Sequence, residues 1–329
     1  MNTAPSDIPL PEVARFDEAL EAWVLTRYVD VLTALREPRL TASGARGGGD
    51  LDRADHLRFR TEAAEAVSGM LSESLAPLKL LAKNMARALP GDRPVDLVSE
   101  LARPWSILVA NRMVCPAGDP DRMVAFAGDI FAAAAEPRDA ALQSRAGESA
   151  RELAAAFAGQ QAAFSVQAFV ALSQTLPCFL ANAWLALLND SRSTALLRAE
   201  PGLLPDAIEE LLRHSGPSRA QFRRAVEEVS LGGVNIAKGD RVVLMLAAAN
   251  RDPEQFPEPD RLEFRRGSRR HVALGDGKHA CVGGTLVRAA SAAATAGFIE
   301  CFADAQVEGP VVWGGGFAIC APACLRVSR

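Results

Sequence analysis

The sequence predicts a mainly α protein with a minor β region. Two observations carry this. The first two thirds hold long segments in which apolar residues recur at three-and-four spacing with few helix breakers. After about residue 215 the texture changes to short alternating runs broken by glycine. With 329 residues, 49% of them hydrophobic, the chain can bury a sizeable core. We read residues 1–329 as one domain, helix-rich over 1–215, with the β part and a glycine loop over 216–329.

The elements follow in order. The N-terminus, MNTAPSDIPLPEVARFDEAL, has neither a basic n-region nor an apolar h-region, so a cytoplasmic protein is expected. YVDVLTALREP and HLRFRTEAAEAVSGMLSESLAPLKLLAKNMARAL read as amphipathic helices. Ala132 to Ala163 is rich in Ala, Arg, Glu and Gln, which favours helix but supplies little bulky core. FSVQAFVALSQTLPCFLANAWLALLND is apolar nearly all round, as expected of a helix through the middle of a protein, with a kink at Pro177. Its apolar stretch is interrupted by Ser173, Gln174, Pro177 and Asn182, which argues against a membrane span. DAIEELLRHSG is a short helix with a glycine stop. RRAVEEVSLGGVNIAKGDRVVLMLAAAN reads as a small β region, and RDPEQFPEPDRLEFRRGSRR as irregular chain. A helix from Gly284 to Phe302 and short strands close the sequence, and no internal repeat is evident.

The net charge of −4 gives no footprint for nucleic acid or a membrane surface. Six cysteines (Cys115, Cys178, Cys281, Cys301, Cys320, Cys324) lack metal-finger spacing and read as reduced thiols. Five have the plain reading of small buried apolar residues. Cys281 differs because of its neighbours, HVALGDGKHACVGGTLVR. A thiolate at a helix N-terminus is stabilised by backbone N–H groups and the helix dipole. Gly275, Gly277, Gly283 and Gly284 let the backbone approach something flat and bulky. Such a thiolate suits the axial position of an iron porphyrin.

LGDGKHACVGG resembles the heme-binding loop of the cytochrome P450 family, Phe-Gly-x-Gly-x-His-x-Cys-x-Gly, with Leu274 in place of the Phe. EELLR resembles the family's Glu-x-x-Arg pair, here Glu210 and Arg213. FPEPDRLEFRR resembles its meander, whose arginine, here Arg261, is expected to join the pair in a buried cluster. The match runs nearly gap-free from about Asp206 to Arg288, and RYVDVLTALREPRLTA and HLRFR sit in family order. The resemblance implies a P450-like fold and heme b, with Cys281 ligating the iron. It also implies propionate contacts from His56, Arg60, Arg223 and His271, with Gly275, His279 and Gly283 shaping the loop.

Two departures stand out. The family's central helix carries Ala/Gly-Gly-x-Asp/Glu-Thr above the iron, where acid and alcohol deliver protons. The corresponding stretch here is ALSQTLP, which keeps the alcohol at Thr175 but has Gln174 for the acid and Leu172 for the glycine. An amide can hold a water but cannot relay a proton at neutral pH. Second, Pro116 to Phe164 spans only 49 residues, so the lid (F/G) region over the substrate is expected to be shortened, as is the N-terminal β region. The distal pocket should then stand open, or be covered by a partner or a second copy. Phe169, Leu172, Leu176 and the GGGFAI turn near Phe317 are the expected pocket wall.

Three functions fit. One is a bacterial heme-thiolate monooxygenase of natural-product metabolism, acting on a small or carrier-protein-bound substrate. A ferredoxin would dock on Arg58, Arg269, Arg270 and Lys278. A second is a heme-thiolate enzyme with non-standard chemistry, favoured by Gln174: peroxide-driven, a dehydration, a rearrangement, or N–O/N–N chemistry. The third is a non-catalytic helper of a glycosyltransferase, which the intact GKHACVGG loop argues against.

Overall fold

The computed structural model describes residues 12–42, 53–114, 117–157, 162–267 and 270–329. The chain opens with β1 (Arg15–Asp17), β2 (Ala22–Leu25), α1 (Tyr28–Arg36) and β3 (Leu40–Ala42), followed by the long α2 (Arg53–Ala88) and β4 (Val95–Asp96). A π-helical turn, Val98–Ala102, runs into α3 (Arg103–Val114).

The segment expected as one helix from Ala132 to Ala163 is two. They are α4 (Pro120–Ala135) and α5 (Ala140–Ala155), which pack on each other as a hairpin. Pro137 cannot continue a helix, and Asp139 starts a new one by accepting from the amides of Ala141 and Leu142. A helix pair therefore lies in the interval expected to form the lid.

The central helix is α6 (Ala162–Val170), a π-helical turn at Ala171–Thr175, and α7 (Leu176–Leu188). The expected kink at Pro177 falls in the turn before it. Pro177 has no N–H to give back, and the ladder widens so that the Leu176 amide reaches the Ala171 carbonyl. Phe164–Leu188 is long and apolar enough to cross a membrane by composition, yet 56% of its apolar window is buried inside the molecule. Its neighbours include α3, α9, α11 and β11. Trp184 stacks on Phe298 with ring centroids 5.1 Å apart.

Next come α8 (Ser191–Ala199), α9 (Leu204–Ser215), β5 (Gln221–Ala225), β6 (Val229–Leu231), β7 (Val234–Ile236), β8 (Arg241–Leu244) and α10 (Leu246–Ala249). After irregular chain, α11 (Gly284–Phe302) leads to β9 (Gln306–Val307), β10 (Val312–Gly315), β11 (Cys320–Cys324) and β12 (Arg326–Ser328). The main sheet runs β1-β2-β8-β5-β3, with β2 parallel to β8 and the other pairs antiparallel. Strands from both ends of the sequence share this sheet, so the parts 1–215 and 216–329 interleave in space.

Candidate active site

The loop around Cys281 is built by short backbone bonds. The Gly275 amide donates to the Val272 carbonyl (2.9 Å), Cys281 to Leu274 (2.8 Å), and Val287 to Gly283 as α11 begins. Asp276 caps the turn at Gly277–His279 through the Gly277 amide (2.7 Å) and pairs with Arg36 of α1 (2.8 Å). Gly277 sits at φ +67°, and a Cβ there would lie 2.6 Å from the Leu35 carbonyl oxygen, so only glycine fits against α1. From α2, Arg60 donates through Nη1 to the carbonyls of Lys278 (3.1 Å) and Ala280 (2.7 Å). From β5, the Gln221 amide nitrogen would lie 3.7 Å from a Cβ added at Gly275, and Arg223 is buried and donates to Gln221 Oε1 (2.9 Å). A Cβ on Gly283 would meet no protein atom within 4 Å, so no protein neighbour demands that glycine.

Cys281 is exposed at the head of α11. Burial by the surrounding groups pushes its thiol above the ordinary value, while the Gly283 amide, Arg288 and Arg60 pull the other way. A bound metal cation would supply the compensation that a thiolate needs here.

α9 holds the base of the loop. Glu210 and Arg213 form a buried bidentate pair at 2.8 Å on both arms. Burial would raise the Glu210 carboxyl, but the Arg213 hydrogen bonds outweigh it and hold it below its ordinary value. The third arginine is Arg266, 3.1 Å from Glu210, rather than Arg261. Arg261 turns its side chain outward to Glu258 and gives the cluster only its carbonyl. Arg266 is also held by the carbonyls of Pro257 and Glu258. Arg213 also donates to the Asn250 carbonyl (2.8 Å), and Asn250 Oδ1 accepts from the Val272 amide (2.8 Å). Asn250 thus ties the ion pair to the loop; the sequence reading missed it, although it stands in AAANRDPEQF.

His271 is buried, its Nε2 3.4 Å from Glu209 Oε2 but not aligned for a hydrogen bond. Burial would raise Glu209, yet the nearby His271 and the bonds from Arg288 bring it down to about 2. α9, the Glu263–Gly267 segment and the loop border a cleft of about 950 Å³ that Cys281 also lines. Its carboxylates and arginines largely neutralise one another in pairs, including Glu209 with Arg288 and Asp276 with Arg270. His279 lies in the loop's short 3₁₀ turn. His56 is in α2, but its side chain, like that of Arg58, lies outside the described residues, as does Arg269.

On the central helix the π-helical turn sorts the expected distal residues. Thr175 is half-buried there. Gln174 turns to α4 and donates to the Val124 carbonyl (3.2 Å), so its amide is a strut between two helices rather than a partner for Thr175. Leu172 and Leu176 are 2% exposed and share the main core with Leu274 and Val282 of the loop. Phe169 is fully buried in that core, edge-on to Phe157. Phe317 stands apart, partly exposed, beside Phe222 of β5 at 5.9 Å.

The sequence model described as Cytochrome P450 matches residues 187–303. Cytochrome P450 107B1 of Saccharopolyspora erythraea is 30% identical over 341 aligned positions, covering 88% of this chain and 84% of that protein. The chain belongs to the cytochrome P450 family. Nocardicin C N-oxygenase of Nocardia uniformis is also similar, 30% identical over 94% of this chain and 89% of its own length. The fold of this P450 superposes with a TM-score of 0.84 on P450BioI, solved with an acyl carrier protein bearing hexadec-9Z-enoic acid. That match is at 22% identity and covers 94% of this chain and 92% of the other.

This P450 is an oxidoreductase of the P450 type, and the family implies heme iron. Its donor set fits that group. Among the described residues no three His, Cys, Asp or Glu side chains gather into a metal cage. Iron held by one protein ligand must bring its own equatorial ligands, as a porphyrin does. The exposed Cys281 sulfur, the open space beside Gly283 and the cationic Arg60 and Arg223 around the loop match a thiolate-ligated macrocycle with carboxylate arms.

Proposed function

We propose that this chain is a heme b monooxygenase of bacterial specialised metabolism that acts on a small or carrier-held organic substrate. The observation that carries the reading is the accessible Cys281 at the head of α11, in a loop fastened from three sides by Arg60, Arg36 and Asn250. Relatives support the class: they include a mycinamicin IV hydroxylase/epoxidase and a nocardicin C N-oxygenase. The carrier-held option draws on the acyl carrier protein bound to P450BioI.

The bound heme would supply the redox chemistry that activates an oxidant and hands oxygen to substrate. The residues of the chain do the rest. Cys281 gives its sulfur to the iron, with the Gly283 amide moderating charge on it. Arg60, Arg223 and His271 would receive the heme propionates, and His56 of α2 would join them. Thr175 holds a hydroxyl on the widened turn, where it would hold and orient a water. A ferredoxin is the proposed electron donor, docking on the side that presents the exposed Arg270. A cover over the distal side by a second copy remains part of this proposal.

One observation favours a second reading within the same class. Gln174 stands where the acid was expected, and its amide is committed to the Val124 carbonyl. Protons would then come from substrate or water, which suits peroxide-driven, dehydration, rearrangement or N–O/N–N chemistry.

The first test is the absorption spectrum of the reduced carbonyl adduct. Wild type should show the band of thiolate ligation, and Cys281→Ser should lose it. A colourless protein that refuses added hemin would refute both readings. Product that needs a reductase and dioxygen selects the first reading; product with hydrogen peroxide alone selects the second.

A further inference from the structure

We propose that Glu136 is a positioning residue for the substrate mouth: it clasps the glycine turn Gly314–Ala318 to the end of α4 and so fixes Phe317. The proposal rests on the reading above, in which that turn faces substrate. α4 ends at Ala135, and Glu136 follows with its own amide bonded to the Ala132 carbonyl. Its carboxylate Oε1 accepts the Phe317 amide (3.1 Å), and the Ala135 carbonyl beside it accepts the Ala318 amide (3.1 Å). The turn itself closes through the Gly316 amide on the Ile319 carbonyl (2.7 Å).

The glycines are what this fit requires. Gly315 sits at φ +97°, where a Cβ would lie 2.3 Å from the Ile319 oxygen. A Cβ on Gly316 would lie 2.2 Å from Glu136 Oε1 and 2.8 Å from the Ala135 oxygen. No side chain larger than hydrogen fits under the clasp. Two residues on, Arg138 donates to the Ala19 carbonyl (2.8 Å), so the same α4–α5 connection is also fastened to the β1–β2 turn. Phe131 and Phe222 pack against Ala135, Ala318 and Ile319, and Phe317 stands beside Phe222 with ring centroids 5.9 Å apart. The lid helix, the glycine turn and the main sheet thus meet at one aromatic pair. Among the described residues Glu136 has no cationic partner, so its work is that of an acceptor for a backbone N–H.

The test uses the heme-loaded enzyme with two readouts. One is hydrogen–deuterium exchange at the Phe317 and Ala318 amides. The other is the ratio of affinities, read from the heme spectrum, for a bulky probe, 4-phenylimidazole, and a small one, imidazole. In Glu136→Ala, exchange at Phe317 should rise about tenfold or more, as a lost bond to a charged acceptor allows. The probe ratio should move with it, since Phe317 is no longer held. Glu136→Gln keeps a carbonyl acceptor and should keep both values near wild type; Gly316→Ala should mimic Glu136→Ala. Unchanged exchange in Glu136→Ala would overturn the clasp. Faster exchange with an unchanged probe ratio would overturn the positioning role, since the turn would not face the mouth. Glutamine that behaves as alanine would overturn the acceptor role. Wild type that binds heme but shows unprotected amides sinks the clasp alone. Wild type that binds neither heme nor probe sinks the function reading and this proposal together.

Discussion

Arg213→Ala removes the centre of the buried ion cluster, and its cost can be worked out contact by contact. The Arg213 side chain is 2% exposed and Glu210 5% exposed. Arg213 makes two hydrogen bonds to Glu210, one to the Asn250 carbonyl and a longer one to the Arg261 carbonyl, and lies over the Phe256 ring at 5.2 Å. Its loss leaves the Glu210 carboxylate buried with Arg266 and the Glu263 amide as remaining partners. Breaking one side of such a pair costs about 3–5 kcal/mol, a large part of a typical stability of roughly 5–15 kcal/mol. Urea unfolding, followed through the buried Trp105 and Trp184, should show a midpoint lower by about 1–1.7 M, taking a urea slope of about 3 kcal/mol/M. Arg213→Lys keeps a charge but not the planar fork, and should recover less than half of the loss. The loss also frees the Asn250 carbonyl, and Asn250 holds Val272 at the foot of the Cys281 loop, so weaker heme retention should accompany it. A midpoint within about 0.3 M of wild type, which is roughly 1 kcal/mol, would refute this account of the cluster. Should the alanine variant fail to fold, the shortfall of Arg213→Lys is the quantity to measure.

Other predictions follow from single side chains. His214 is held neutral: burial, then Arg251 and Arg213, lower it from 6.5 to about 4 while its ring bonds to Ser215 and the Asp260 carbonyl. The unfolded chain therefore takes up the proton first, and stability should fall as pH drops from about 6.5 to 4, by up to about 3 kcal/mol; His214→Gln should flatten that slope in thermal melts. Gly277→Ala forces a Cβ against the Leu35 oxygen at φ +67° and should cost about 1–2 kcal/mol from the backbone alone, visible as a lower melting midpoint. Gln174→Ala should cost about 1 kcal/mol through the lost bond to Val124. Gln174→Glu, the change that would restore an acid at that position, should destabilise further, because a carboxylate would face the Val124 carbonyl; a stability equal to wild type would show that the side chain turns elsewhere.

Much of the fold was legible because the signals were local. Apolar spacing located α1, α2, the central helix and α11, and the glycine-framed cysteine located the loop. The errors came from competition between local and non-local terms. Ala-rich composition made Ala132 to Ala163 look continuous, while the pairing of Pro137 with an Asp139 cap split it. β2 and β3 are only three or four residues long and find partners some 200 residues away, so no window along the chain could show one sheet. Arg261 and Arg266 are both arginines in one irregular segment, and which reaches Glu210 depends on where Pro257 and Glu258 put their carbonyls.

Gln174 shows the limit most sharply. A substitution at a position where relatives place an acid invites a chemical reading, in which a proton relay has been lost. Its geometry supports a mechanical one. The π-helical turn widens the helix just where Pro177 withdraws an N–H, Ser173 turns its hydroxyl back to Phe169, and the Gln174 amide faces the Val124 carbonyl of α4. A carboxylate has no N–H to donate there, so packing of α4 on the central helix and an acid beside Thr175 compete for one side chain. In this chain packing has it. The hairpin of α4 and α5 is then held at two ends, by Gln174 to the central helix and by Glu136 to the glycine turn. That places the helices over the expected mouth under the control of two polar side chains, neither of which the chemistry at Cys281 requires.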